Sequence, residues 1–136
     1  MKAVLDTNVL VSGLFFGGLP RAILDAWAKG HFELCVSPSI FDEYLEVCDR
    51  IADSRPNLEY RELLATLVGH GTLLPDSESD HEITADADDD KFMRCAFQAE
   101  AVVVSGDKHL LAVDGWNGVP VVTPRTFLDQ LGLDNR

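Results

Sequence analysis

The stretch Lys2-Ala3-Val4-Leu5-Asp6-Thr7-Asn8 begins apolar and turns abruptly polar, and Val102-Val103-Val104-Ser105-Gly106-Asp107 repeats that design late in the chain. A short Val/Leu run bounded by turn residues reads as a buried strand of a parallel sheet. In open α/β sheets, ligands bind beyond the carboxyl ends of the strands. Asp6 and Asp107 each follow such an end. If the first and fourth strands are neighbours, both carboxylates enter one crevice. Each also has a plainer reading as an Asx turn or helix N-cap.

Outward from these two runs, strand and helix patterns alternate. Lys2 to Leu5 is the first strand. A helix opens at Leu19-Pro20, carries Ile23, Leu24 and Trp27 at helical spacing, and stops at Lys29-Gly30. Phe32 to Val36 is a second strand, followed by the cap-then-proline pair Ser37-Pro38. The next helix presents Ile40, Phe41, Tyr44, Leu45 and Cys48 on one face. A helical segment from Leu58 to Val68 and a strand from Thr72 to Leu74 come next. Pro75 to Ala87 is acidic and irregular. Asp88 to Glu100 reads as a helix, Ala101 to Val104 as the fourth strand, and Asp107 to Val113 as a short helix or turn. Val119 to Val122 is the fifth strand, and Thr123-Pro124 introduces a last helix, Arg125 to Leu131. Strands separated by helices predict parallel βαβ units with right-handed crossovers. The expectation is one α/β domain over residues 1–136.

Whole-chain numbers narrow the function. The 136 residues carry a net charge of −12. Such a chain does not grip nucleic acid by bulk electrostatics. An enzyme that meets phosphates through metal ions and a few local cations stays open, as does a basic partner. Cys35, Cys48 and Cys95 are scattered and apolar in setting, which predicts buried free thiols. No apolar stretch has the length of a membrane span. A strand-like start at Lys2 leaves no signal peptide, so the expected location is cytoplasmic.

Two further acids are candidates for the crevice. Glu43 flanks the apolar stripe of Ile40, Tyr44 and Val47, whereas Glu46 and Asp49 look outward. In the run Asp88-Asp89-Asp90, Asp90 precedes Met93 and Ala96 on the buried side and is expected to face inward near the helix start. Helix capping is the alternative for each member of that run. Crowded carboxylates repel one another and favour a divalent cation. The four histidines show no metal spacing, and no phosphate-cradling glycine pattern is present.

Four stretches taken together resemble the PIN-domain ribonucleases, and among them the VapC-like toxin components of toxin–antitoxin pairs. They are Leu5-Asp6-Thr7-Asn8-Val9-Leu10-Val11-Ser12, Ser37-Pro38 with Glu43, Asp86-Ala87-Asp88-Asp89-Asp90-Lys91-Phe92, and Val104-Ser105-Gly106-Asp107-Lys108-His109-Leu110-Leu111. The resemblance implies a three-layer α/β/α domain with a central parallel sheet in the order 3-2-1-4-5. It implies that Asp6, Glu43, Asp90 and Asp107 hold Mg²⁺ or Mn²⁺ for RNA hydrolysis, with Thr7, Asn8 and Ser105 orienting waters or phosphate around them. A bound cation would activate water, and a second would stabilise the leaving oxygen. Lys91, Arg94 and Lys108 are candidates to touch the RNA backbone. An antitoxin protein is the implied partner, and a homodimer a candidate assembly. Relatives often carry proline where Ala87 stands, which should loosen the loop before Asp88.

Two rival readings remain at this level. An aspartyl-nucleophile phosphatase would need an acid where Asn8 stands, and another acid soon after Gly106-Asp107, where the chain has Lys108-His109-Leu110-Leu111. A non-catalytic PIN-like module could instead bind metal or a basic partner without cutting.

Overall fold

Apolar strands at the centre of the chain's hydrogen bonding organise everything else. In the computed structural model, which describes residues 1–53, 60–77 and 83–132, five parallel strands form a sheet in the order β3-β2-β1-β4-β5. They are β1 (Lys2–Leu5), β2 (Glu33–Val36), β3 (Thr72–Leu73), β4 (Val102–Val104) and β5 (Val121–Val122). The helices are α1 (Thr7–Phe15), α2 (Gly18–Ala28), α3 (Pro38–Asp53), α4 (Tyr60–His70), α5 (Asp90–Ala99), α6 (Lys108–Leu111) and α7 (Pro124–Gln130). The sheet order and the α/β class agree with the sequence expectation. Leu58, the expected start of the fourth helix, lies outside the described residues.

The central strands are buried on both faces: Ala3, Val4 and Leu5 of β1 and Val103 and Val104 of β4 are inaccessible to solvent. Helix α5 packs against β1, β2 and β4. Its apolar residues Phe92, Met93, Cys95, Ala96 and Ala99 are all buried. Phe32, just before β2, meets Phe127 of α7 edge to face, with ring centroids 5.0 Å apart. Burial of each such side chain contributes on the order of 1.5–3 kcal/mol. The cysteines are free and buried, as expected. Burial pushes the Cys35 and Cys48 thiols up to about 11 and Cys95 up to about 12, which makes them inert. No single helix among the described residues is long and apolar enough to cross a membrane.

Helix α1 is the main departure from the expectation. The first helix was expected to open only at Leu19-Pro20, but the chain turns straight from Asp6 into a helix whose first bonds run from the Val9 and Leu10 amides to the Asp6 carbonyl, at 3.0 and 3.1 Å. Thr7, Val9, Leu10, Val11 and Gly13 are buried on it. The run Val9-Leu10-Val11 is apolar all round, so it lacks the one-sided periodicity by which a surface helix is recognised. Helices α1 and α2 meet at an angle of 91°. The approach is close at Gly13, where an added Cβ would lie 2.7 Å from Leu24 Cδ1 and 2.8 Å from the Pro20 carbonyl oxygen.

That contact sets a stability prediction. Gly13→Ala should destabilise the protein by about 1–3 kcal/mol, because backbone and not a flexible tip must give way. Gly69→Ala, where a Cβ meets nothing within 4 Å, should be neutral or stabilising by up to about 1 kcal/mol. Urea denaturation of the two variants checks this; equal midpoints would refute the close-packed crossing.

Candidate metal centre

Strands β1 and β4 pair with Leu5 opposite Val104, and the ladder continues one step as the Asp6 amide donates to the Val104 carbonyl at 3.0 Å. Asp6 is thereby fixed at the strand end beside Ser105. The Ser105 hydroxyl donates to Asp6 Oδ2 at 2.7 Å, and its oxygen accepts from the Asp107 amide at 2.9 Å. One fully buried serine thus couples the two strand-end aspartates. Beneath them, the buried Tyr44 hydroxyl of α3 donates to the Leu5 carbonyl at 2.5 Å.

Asp6 is only 5 % exposed. Burial raises its pKa above the ordinary value. Hydrogen bonding from Ser105 and the Asn8 backbone pulls the other way, and the charges of Asp107 and Glu43 raise it further. Asp107 also caps α6, accepting from the His109 amide at 3.1 Å. The capping reading and the crevice reading of Asp107 therefore hold together.

Glu43 reaches the same crevice from α3. One of its carboxylate oxygens accepts from the Thr7 hydroxyl. The other accepts from Lys91 Nζ at 2.7 Å, and that ammonium also donates to the Asp88 carbonyl at 2.6 Å.

The acidic run at the start of α5 departs from the expectation. Asp90 does face inward, at 2 % exposure, but its carboxylate serves the neighbouring loop. Oδ2 accepts from the Ile83 amide at 3.1 Å and Oδ1 from the Thr84 amide at 2.8 Å. Arg94 Nη2 lies 3.8 Å from the same Oδ2. It is Asp89 that meets Asp6 and Asp107. Its pKa is pushed up to about 7 by burial first, then by the charges of Asp6, Asp107 and Asp86, and by a hydrogen bond shared with Asp107. Asp90, expected beside the ion, is thus engaged with the loop amides, while Asp89 is the member of the run whose charge bears on Asp6 and Asp107. The physical reason is local. A 3-10 turn, Ala87–Asp89, precedes α5 and is capped by Asp86, which accepts from the Asp88 amide at 3.0 Å. That turn carries Asp89 toward the strand ends and leaves Asp90 under the loop. The β-branched pair Ile83-Thr84, breaking an otherwise acidic stretch, was the sequence signal for a loop that folds back and needs an acceptor.

The other expected residues are placed as follows. Thr7 and Ser105 hold Glu43 and Asp6, in keeping with an orienting part. The Asn8 side chain is exposed, and only its backbone bears on Asp6. Lys91 and Arg94 are turned toward acids of the protein itself, not presented to an outer phosphate. Lys108 is exposed on α6.

Carboxylate oxygens are the ligands a hard divalent cation takes. Among the described residues no three acidic side chains converge on a single point.

An all-parallel α/β sheet with an acidic crevice beyond β1 and β4 defines the class of protein. The chain belongs to the PIN domain family, whose sequence model matches residues 2–109, from the first residue of β1 past Asp107. Members of that family are generally nucleases that use divalent metal ions. It is similar to an uncharacterized protein, MJ1680, of Methanocaldococcus jannaschii, at 26 % identity over 96 % of this chain and 91 % of that protein. Its fold is similar to that of PAE2754 from Pyrobaculum aerophilum, with a TM-score of 0.62 and 16 % identity over 97 % of this chain and 90 % of the other. The structure of VapBC2 from Rickettsia felis bound to a DNA fragment from their promoter also matches, with a TM-score of 0.54 and 12 % identity over 90 % of this chain and 98 % of that one.

The raised carboxyls set the sign of a pH dependence. A carboxyl whose pKa is higher folded than unfolded stabilises the fold below its unfolded value and loses that contribution as pH rises through the folded value. For Asp89 this window runs from its ordinary value of 3.8 to about 7. Metal-free protein should therefore lose melting temperature between about pH 4 and pH 7, and Asp89→Asn should flatten the fall. A melting series in EDTA reads this directly; a rise in wild-type stability across the window would contradict the crowding.

Proposed function

We propose that this chain is a Mg²⁺- or Mn²⁺-dependent endoribonuclease acting in the cytoplasm as the toxin of a toxin–antitoxin pair. The observation that carries the reading is the meeting of Asp89 with Asp6 and Asp107 at the ends of β1 and β4. Membership of the PIN domain family supports it. The toxin role draws on the fold shared with VapBC2, and an antitoxin with a basic segment would suit a crevice of this charge.

In this mechanism Asp6, Asp89 and Asp107 would hold the ion. When bound, a divalent cation supplies charge stabilisation to the phosphoryl oxygens and activation of a water. Ser105 fixes the rotation of the Asp6 carboxylate through Oδ2 and the backbone at Asp107 through the same hydroxyl. Such supporting bonds set ligand geometry and commonly alter metal affinity by about 10–100-fold. The Asp89 carboxyl is pushed up to about 7, so it would become fully available as a ligand as pH rises through that value, and loading should improve with it. Hydrolysis adds water across the phosphodiester: the new P–O bond forms as the bond to the departing ribose oxygen breaks.

A non-catalytic binding module is the second reading, favoured by one observation: Glu43 is already neutralised by Lys91. Cleavage of single-stranded RNA with Mn²⁺ separates the two. The nuclease reading expects cleavage that EDTA stops, and Asp6→Asn and Asp89→Asn each reducing it by about 100-fold or more. Asp90→Asn should lose about 1–3 kcal/mol of stability, since its amide cannot accept from both Ile83 and Thr84. Intact RNA under all these conditions would leave the binding module standing, and equal loss in Asp89→Asn and Asp90→Asn would reject the assignment of the third acid.

A further inference from the structure

We infer that a pocket beside the crevice takes a guanine base of single-stranded RNA, with Asp76 accepting from the two adjacent donors of its Watson–Crick edge. The inference rests on the ribonuclease reading above and goes on to the base that such an enzyme would select. The pocket has a volume of about 210 Å³ and lies beyond the ends of β2 and β3, where Ser37, Pro75 and Asp76 lead away from the sheet. It is smaller than the roughly 300 Å³ at which pockets for drug-sized molecules begin, which suits a single planar base. Strand β2 is the neighbour of β1, so the pocket opens roughly 5–10 Å along the sheet from the strand-end aspartates. Lys91 lines it and also binds Glu43, so the pocket and the crevice share a wall.

One side of the pocket is a carboxylate held in a fixed place. Ser39 donates twice to Asp76 Oδ1, from its amide at 3.2 Å and from its hydroxyl at 2.6 Å. Behind it, the Ser37 hydroxyl oxygen lies 3.4 Å from that of Ser39. The Ser39 hydroxyl above all holds the Asp76 carboxyl below its ordinary value, which keeps it an acceptor. Both Ser39 bonds end on Oδ1, and Asp76 is exposed, so Oδ2 can accept from a ligand. The other side is a face of α5 on which Lys91, Arg94 and Gln98 recur at helical spacing. Gln98 Nε2 donates to the Pro75 carbonyl at 2.9 Å and pins the two sides together. Lys91 and Arg94 lean on Glu43 and Asp90, so they offer a ligand a fixed positive wall and not a grip on phosphate.

An acceptor facing a positive wall sorts the bases. Single-stranded RNA is read by taking up unstacked bases and bonding their Watson–Crick and Hoogsteen edges. Guanine carries N1–H and the N2 amino group side by side, a donor pair that one carboxylate accepts. Its O6 and N7 are the acceptors that Lys and Arg attract. Adenine and cytosine set a ring-nitrogen acceptor beside their amino group, and a carboxylate repels it. Uracil offers one N–H between two carbonyl oxygens. A phosphate in the pocket would meet the Asp76 charge itself. Guanine is therefore the base that satisfies both sides, and a base seated there brings the adjoining phosphodiester toward the crevice.

Nucleoside binding tests this without reference to cleavage. Guanosine, inosine and adenosine are titrated against the full chain in EDTA and followed by saturation-transfer nuclear magnetic resonance. Guanosine should bind about 10-fold or more tightly than adenosine and than inosine, which lacks the 2-amino group. Asp76→Asn keeps an oxygen for Ser39 but sets an N–H group against the base, so it should melt as wild type does and lose the preference. With Mn²⁺ and single-stranded RNA, the cuts of wild type should share a guanine at one fixed position, and those of Asp76→Asn should not. Equal binding of the three nucleosides, or a guanosine preference that survives in folded Asp76→Asn, would overturn the inference. Metal-dependent cleavage indifferent to guanine would overturn it too and leave the ribonuclease reading intact. Selective guanosine binding with every RNA left whole would overturn the ribonuclease reading and give the pocket to a free guanine nucleotide instead.

Discussion

The parallel pairing of β1 with β4 is the constraint on which the site depends. Its register sets Leu5 against Val104 and runs on into the bond from the Asp6 amide to the Val104 carbonyl. Side chains alternate across a strand, so a slip of one residue would turn Asp6 to the opposite face of the sheet and break its bond with Ser105. Register is well specified here because Val4, Leu5, Val103 and Val104 are all completely buried. Tyr44 adds a tether from α3 to the last carbonyl of β1. The most apolar part of the chain is therefore what determines the position of its most polar cluster.

That cluster poses an electrostatic problem, which the protein solves differently at each corner. Asp6 is stabilised by a hydroxyl, Glu43 by an ammonium and a hydroxyl, and Asp89 by sharing a hydrogen bond with Asp107. Asp90 is withdrawn from the crevice altogether and used to brace the loop at Ile83 and Thr84. Only the Asp89 corner leaves the repulsion largely uncompensated, and Asp89 there titrates near 7. On the proposed reading, that perturbed group marks the corner where a cation would be taken up.

The strands were legible in the sequence as short apolar runs followed by Asp6 and by Ser105-Gly106-Asp107, whereas their order came from the resemblance to the PIN-domain ribonucleases. Thr7 and Ser105 were legible as supporting groups for the same reason. The choice between Asp89 and Asp90 was not. Adjacent helical residues point about 100° apart, and the 3-10 turn before α5 shifts the phase that Met93 and Ala96 suggest. Burial of Asp90 was correctly expected, but burial alone does not say what a carboxylate is buried against. Helix α1 was hidden by its uniform apolarity, and the inward turn of Lys91 by the fact that its partner lies 48 residues earlier in the chain.

On the proposed ribonuclease reading, a chain with net charge −12 would need a source of attraction for a polyanion, and the structure narrows the candidates. Lys91 is committed to Glu43, and Arg94 leans on Asp90. Neither forms the kind of basic track that releases counterions from a nucleic acid backbone. Lys108, exposed beside Asp107, is the remaining cation of the three expected near the phosphate. Without an ion the crevice repels phosphate; a bound divalent cation becomes the largest local charge and inverts that field. On that proposal metal loading and substrate binding would be one event, and the acidity that argues against a conventional nucleic-acid grip would make binding conditional on the ion.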